Sequence, residues 1–587
     1  MTREPTVWEL ADLMPAVGTS DMVAALHAIE VRVQAFEAWR PDLSPNIRED
    51  VFREILALYE AIYADVSALA AYGYLWFSED TGGQDRLSFR AQANRIVADT
   101  QNRTLFFTLW WRQLDDDVAA RLKAEAGDAG YFLHSLRLLK PHTLSEAEER
   151  IINVKDVNGI NSLLTIYDMI TTGLEFRLTV DGEAKALTRG QLMSRVSSPD
   201  AGVRAAAYQE LFRAFGEHTD VLAEIYASRV RDWAEEQVKV RGFSSPISVR
   251  NLSNDVSDAV VDTLLDVIRN NATIFQRLFR AKARALNVDT LRRYDLYAPL
   301  SRSEKIYPFA AAVQLIDESF RAFSPLLADQ ALRVLEEKHL HALIRPRKMD
   351  GAYCYGVLPG VTPWVLTNYD GKARDVSTLA HELGHAVHAL MAADHSALTF
   401  HSALPMAEMA SVFGEMLLTD RLLGEESDPA VRRTLLGTTL DDAYATIVRQ
   451  GYFVMFEREA HRMIMEDATP DALHATYLEN LREQFGAAVQ VSDDFAREWT
   501  VIPHIYHTPF YCYAYAFGNL LVLALYRQYQ ELGQGFVPSY LRILAYGGSA
   551  SPEHIVREAG FDMTDADFWQ SGFDLLVERL ADLEALV

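Results

Sequence analysis

The chain has 587 residues, 49% apolar and 24% charged, which excludes disordered and fibrous classes and exceeds what a single hydrophobic core usually supports. Its formal net charge of −26 repels phosphate backbones and anionic bilayers, so neither nucleic acid nor a membrane surface is expected as a partner. Two cysteines, Cys354 and Cys512, form no disulfide framework and fit a reducing compartment.

The first residues, with Glu4, Pro5 and Glu9, lack the apolar run of a signal peptide. No stretch approaches ~18 uninterrupted apolar residues, and the best, Leu520 to Tyr526, is far too short. The expected location is the cytoplasm. Val51, Ile55, Leu58, Ile62, Val66 and Leu69 then recur at helical spacing and predict a core-facing helix. Gly82-Gly83 reads as a loop. Leu174 to Val180 alternates apolar and polar residues as a strand, with a turn at Asp181-Gly182. Lys185 to Asp200 is polar and reads as a loop. Leu211, Phe215, Leu222, Ile225 and Trp233 mark a further helix, and Asp258 to Leu286 repeats the pattern through Val260, Leu264, Val267 and Ile274. No linker or repeat marks a boundary. The division expected is a helical N-terminal lobe, residues 1–190, and a helical catalytic body, residues 191–587.

Two short strands are expected next, Ala352 to Leu358 and Trp364 to Tyr369, separated by the turn signal Pro359-Gly360 and stopped by Asp370-Gly371. They immediately precede the most informative segment. Residues 376 to 390 read VSTLAHELGHAVHAL. On a helix, His381 and His385 lie one turn apart on one face and can share a metal. Glu382 then projects beside that metal, where a general base is needed to take a proton from water. Asp375 stands near the helix start as a cap. A catalytic zinc takes three protein ligands and keeps one open position. A second helix is expected after Pro405, and on it Glu408 is read as the third ligand. Glu415, two turns further along the same face, is read as orienting a ligand. His388 shares the face of the two histidines, but a fourth protein ligand would close the site, so it is read as packing or hydrogen bonding beside them.

The segment DVSTLAHELGHAVH, with Ala407-Glu408-Met409-Ala410-Ser411 and Glu415, resembles the oligoendopeptidase F group of the thimet-oligopeptidase-like metallopeptidases. Further likeness lies in Phe77 to Thr81, Leu144 to Glu149, Gly351 to Gly356 and His504 to Tyr511, so it spans nearly the whole chain. The resemblance implies a mostly α, two-lobed clam-like fold with a small sheet beside the zinc helix and a deep central channel. It implies one zinc on His381, His385 and Glu408, Glu382 as base, and hydrolysis of internal bonds in short unstructured peptides. It also implies that His504 and a tyrosine of the C-terminal segment steady the tetrahedral intermediate. Tyr506, Tyr511, Tyr513 and Tyr515 compete for that place; Tyr511 is favoured, then Tyr515. The strand containing Ala352 and Tyr353 is expected to bind the substrate backbone as an added strand. The rival readings are a metallo-exopeptidase and a catalytically silent peptide-binding protein. The first needs a charged grip on a chain terminus, which no motif supplies. The second predicts a broken metal set, whereas His381, Glu382, His385 and Glu408 are all present.

Overall fold

The computed structural model describes residues 4–180, 183–300 and 305–587. Helix accounts for 71% and strand for 3%, so the chain is mostly α with small sheets. It packs into two compact units, each built from three separate stretches. The first comprises Met1–Lys140, Glu304–Glu425 and Gln528–Phe561; the second comprises Pro141–Ser303, Glu426–Arg527 and Asp562–Val587. A single cut near residue 190 therefore does not divide the chain, because segments remote in sequence complete each core.

In the first unit, helices Ser20–Ala38, Glu49–Glu79 and Gln84–Gln113 pack around Phe36, Phe52, Ile55, Leu69, Phe107 and Trp111, all fully buried. Helix Glu49–Glu79 is long and apolar enough by composition to cross a membrane, yet 44% of its most apolar window is buried within the protein. Its stripe residues Ile55, Ile62, Val66 and Leu69 form that buried face. Residues 80–83 connect this helix to the next, as the Gly82-Gly83 reading expects.

A three-stranded sheet lies in the same unit in the order Leu340–His341, Trp364–Leu366, Tyr353–Tyr355. The first pair is parallel and the second antiparallel, with Cys354 opposite Val365. The expected adjacent strand pair is thus present, shortened at both ends, and Tyr353–Tyr355 forms an edge. Ala352 stands just outside its strand. Buried Trp364 and Leu366 pack with Trp8 and Leu75 behind the sheet. Lys348 fixes the loops beneath it by donating to the carbonyls of His341 (3.0 Å), Leu343 (3.0 Å) and Thr367 (2.6 Å).

The second unit corrects three readings. The stripe from Leu211 to Trp233 belongs to two helices, Ala201–Gly216 and Thr219–Trp233, and the stripe from Asp258 to Leu286 to Asp258–Asn270 and Ala272–Ala285. The apolar rhythm continues across each break because both helices of a pair face the same core. The polar stretch after residue 185 is ordered: Glu183–Leu187 pairs with Phe176–Val180, and Thr188 caps a short helix by accepting from the Gln191 N–H at 3.3 Å. The strand expected at Leu174 to Val180 is present over Phe176–Val180. The turn expected at Asp181-Gly182 lies outside the described residues.

Candidate active site

Helix Ala373–Met391 carries the histidine motif. Val376, Leu379, Ala380, Leu383, Ala386 and Val387 bury its core face, while His381 and His385 remain half-open, with side chains 25% and 23% exposed. Asp375 stabilises the start from within the first turn, not as the N-cap: its Oδ2 accepts from the Lys372 N–H at 3.0 Å and the Asp370 N–H at 2.9 Å.

Helix Met409–Glu425 packs against the motif helix, and Gly384 is the reason it can come so close. A Cβ at Gly384 would lie 2.4 Å from the Ala410 carbonyl oxygen and 2.5 Å from Ser411 Cα. Only a residue without a side chain permits this approach. The approach delivers two carboxylates. Glu408 lies in the turn immediately before the helix, after a single 3₁₀ turn at Leu404–Met406, and its carbonyl accepts the first helical bond from Val412 N–H at 3.1 Å. Glu415 lies within the helix. The expectation that both sit on one continuous helix is therefore corrected: the 3₁₀ turn at Leu404–Met406 comes first, and the helix opens one residue after Glu408.

His381 Nε2 and His385 Nε2 stand 3.2 Å apart, and Glu408 Oε2 lies 3.4 Å and 3.6 Å from them respectively. A tetrahedral ion held about 2.0–2.2 Å from each donor spaces its ligands about 3.3–3.6 Å apart, so these three donors fit one ion and leave a fourth position free. The surroundings orient the donors. The Glu415 carboxylate accepts from His381 Nδ1, which turns Nε2 toward the shared point. The Ala407 carbonyl faces the ring of His385 and also that of buried His388, which stands outside the donor group. The Ser411 hydroxyl lies 3.0 Å from Glu408 Oε2.

The electrostatics divide the titratable groups. Burial alone would lower the pKa of His381, but the Glu415 hydrogen bond and the neighbouring carboxylates carry it up to about 9. Burial draws His385 down to about 4 against the pull of Glu408. Burial raises Glu382, 6% exposed, to about 7; His381 opposes the rise, as does the backbone N–H of Cys354 on the edge strand. Glu382 is therefore a carboxylate able to accept a proton near neutral pH, at the side of the donor triad. The edge strand contributes main chain here. The ring of Tyr353 packs against Tyr74 (5.3 Å) and Trp8 (6.4 Å), so only its backbone is open to a ligand.

The second unit holds the other expected residues, and it separates the four tyrosines. Tyr506 and Tyr513 are fully buried; Tyr506 stacks on Tyr167, and the Tyr513 hydroxyl accepts from Asn254 at 2.8 Å. Tyr511 and Tyr515 stay half-open beside His504. The Tyr515 hydroxyl lies 3.5 Å from His504 Nε2, and the Tyr511 ring is parallel to the imidazole at 6.0 Å. Burial and the positive charge of Arg449 lower the pKa of His504, keeping it neutral at physiological pH.

Three side chains that sequence reasoning missed hold this segment. Arg229 donates to the Tyr506 carbonyl at 3.3 Å and Arg250 to the Pro509 carbonyl at 3.2 Å. Fully buried Glu457 accepts from the Phe510 N–H at 3.0 Å. Phe510 has φ of 59°, a left-handed conformation costly for an aromatic residue, and Glu457 engages its peptide directly. Glu457 carries no motif; its place on an apolar helix face was the one available signal.

A His-Glu-x-x-His helix with a glutamate delivered from the turn that opens a second helix, on a mostly helical frame, defines a metal-dependent peptidase. The chain belongs to peptidase family M3, whose sequence model matches residues 194–575. It is similar to the oligopeptidase PepF of Bacillus subtilis, 24% identical over 594 residues covering 99% of this chain and 87% of the relative. It is also similar to the group B oligopeptidase PepB of Streptococcus agalactiae, 26% identical over 600 residues covering 100% and 98%. Among solved structures, a Chlamydophila abortus protein superposes with a TM-score of 0.87 at 24% identity, covering 99% of this chain and 98% of the other. Oligoendopeptidase-F from Enterococcus faecium superposes with a TM-score of 0.72 at 22% identity, covering 95% and 97%. The protein is a metallopeptidase that cleaves oligopeptides.

Proposed function

We propose that the protein is a zinc-dependent oligoendopeptidase of the cytoplasm that cuts internal bonds of short, unstructured peptides. The observation that carries the reading is the donor triad of His381, His385 and Glu408 at tetrahedral spacing, with Glu382 buried beside it. Two imidazoles and one carboxylate suit zinc among the divalent ions. An ion held there supplies Lewis acidity, which polarises a carbonyl and eases loss of a proton from water.

The chain's own residues perform the remaining steps. Glu382 takes the proton from the attacking water and passes it to the leaving amine nitrogen. Glu415 holds His381 in the tautomer that presents Nε2, and the Ala407 carbonyl does the same for His385. The edge strand Tyr353–Tyr355, with neighbouring Ala352, aligns the peptide backbone through main-chain hydrogen bonds. His504, with Tyr511 or Tyr515, donates to the oxygen of the tetrahedral intermediate; each such donor is worth ~3 kcal/mol in the barrier. A charge of −26 disfavours nucleic acid and membrane partners, and the cysteine content suits a reducing compartment.

Glu382→Gln tests the central assignment. It should retain one ion per chain while turnover falls about 10²–10⁴-fold, the contribution of a positioned base. His385→Ala should lose the ion. Full turnover in the first variant, or full metal occupancy in the second, overturns the assignment.

A further inference from the structure

We propose that a cavity within the first unit binds one uncharged, apolar or aromatic side chain of the peptide substrate, at a position one to three residues from the cleaved bond. The proposal deepens the oligoendopeptidase reading and rests on it. The cavity has a volume of about 290 Å³ and lies between helices Glu49–Glu79 and Gln84–Gln113 and the stretch from Tyr355 to Val357.

Its position follows from the edge strand. Cys354 turns its backbone N–H toward the Glu382 carboxylate, so that point on the strand marks the catalytic base. Extended chain advances about 3.3 Å per residue, which sets Tyr355 to Val357 about 3–10 Å further along. A peptide lying along Tyr353–Tyr355 as an added strand projects alternate side chains to opposite faces, and one of them falls over the cavity. The register between cavity and metal helix is fixed. A Cβ on Gly356 would lie 3.0 Å from the side chain of Ala389, so the cavity wall touches the motif helix one turn beyond His385.

The lining defines the ligand. Buried Ile62, Val66 and Val357 are apolar, and Tyr59, Tyr63 and Tyr355 supply aromatic walls. Among the described residues, no Asp, Glu, Lys or Arg lines the space. His401 also lines it, and desolvation lowers its pKa. Ser67, Thr100, Gln101 and Thr104 add neutral polar groups to the wall, so a charged substrate group would lose its hydration here and meet no counter-charge, whereas Phe, Tyr, Leu or Met would exchange water for aliphatic and aromatic contacts.

The test uses the full-length, metal-loaded protein and peptides of one fixed length. Each position flanking the cleaved bond is varied in turn through Ala, Leu, Phe, Asp and Lys, and kcat/KM is read for each. At one position within three residues of the bond, Phe or Leu should exceed Ala by about tenfold, and Asp and Lys should fall below it. Ala70→Phe fills the cavity from its lining and should bring the Phe:Ala ratio close to one. Gln101→Glu, at an exposed part of the lining, should raise Lys relative to Phe at that same position. Binding of the same peptides to Glu382→Gln should show the same Phe:Ala ratio in Kd. If Ala70→Phe does not fold, Gln101→Glu decides. Cleavage by the unsubstituted protein with no positional preference, or a preference unmoved by the variants, overturns the pocket and leaves the peptidase reading intact. No cleavage of any peptide overturns the peptidase reading, and the pocket with it.

Discussion

Gly384→Ala probes how far the metal centre depends on the crossing of two helices. The new methyl would sit 2.4 Å from the Ala410 carbonyl oxygen and 2.5 Å from Ser411 Cα. Ordinary contact needs about 3.5 Å, so helix Met409–Glu425 must retreat by about 1 Å. Both atoms belong to backbone and cannot swing aside as a side-chain tip could. Glu408 enters that helix and Glu415 lies within it, so both carboxylates move together, whereas metal–ligand distances tolerate only about 0.2 Å. Overpacking of this kind costs about 1–3 kcal/mol. If that cost falls on the metal-bound state, affinity drops about 5- to 150-fold. Competition with a chromogenic chelator measures the affinity, and circular dichroism confirms the helical content. Gly424→Ala is the control, since nothing lies within 4 Å of a Cβ there on the same helix. Wild-type metal affinity and turnover in Gly384→Ala would refute the claim that this contact sets the ligand geometry.

Metal affinity should also depend on pH. In the metal-free protein His381 holds its second proton up to about 9, and ligation through Nε2 must displace it. The dissociation constant should therefore fall about tenfold per pH unit as pH rises from 7 toward 9, and a flat profile in a chelator competition would contradict this. Glu457 gives a test of the second unit. Its folded pKa is raised to about 8 by burial, above the unfolded value, so its contribution to stability is full below the unfolded pKa and is lost as pH rises through about 8. Glu457→Gln keeps an acceptor for the Phe510 N–H and should flatten that part of the melting-temperature profile. Glu457→Leu removes the acceptor and should lower kcat more than it weakens peptide binding, by releasing the turn that precedes Tyr511 and Tyr515. Equal melting profiles in wild type and Glu457→Gln, or unchanged kcat in Glu457→Leu, would contradict this account.

What the sequence discloses and what it conceals follow from range. His381, Glu382 and His385 are legible because five consecutive residues on one helix carry the relation between them. Glu408 is legible as a ligand but not in its setting: the 3₁₀ turn at Leu404–Met406 places it before the helix, where Ala407 can face two histidines. Gly384 looks like a weak point in a helix until the facing backbone is known. Apolar periodicity shows which faces are buried but not where a helix ends, so the breaks at Glu217 and His218 and at Asn271 pass unnoticed between helices that share a core. The polar stretch after Lys185 hides a strand and a helix whose start was signalled by Thr188 and Gln191, the two ends of a capping box. The units are invisible because each is assembled from three stretches with no change of composition at the crossings. Among the four tyrosines, only burial sorts Tyr511 and Tyr515 from Tyr506 and Tyr513, and no local pattern encodes it.

The most direct measurement is mass spectrometry of the products from a ladder of peptides of increasing length, with and without a zinc chelator. The donor triad and Glu382 predict internal cuts, confined to short peptides and abolished by chelation, with activity restored when zinc is returned. Release of single terminal residues would make the enzyme an exopeptidase. Cleavage that persists after the metal is removed, or no cleavage at any length by protein with zinc bound, would contradict the account at its centre.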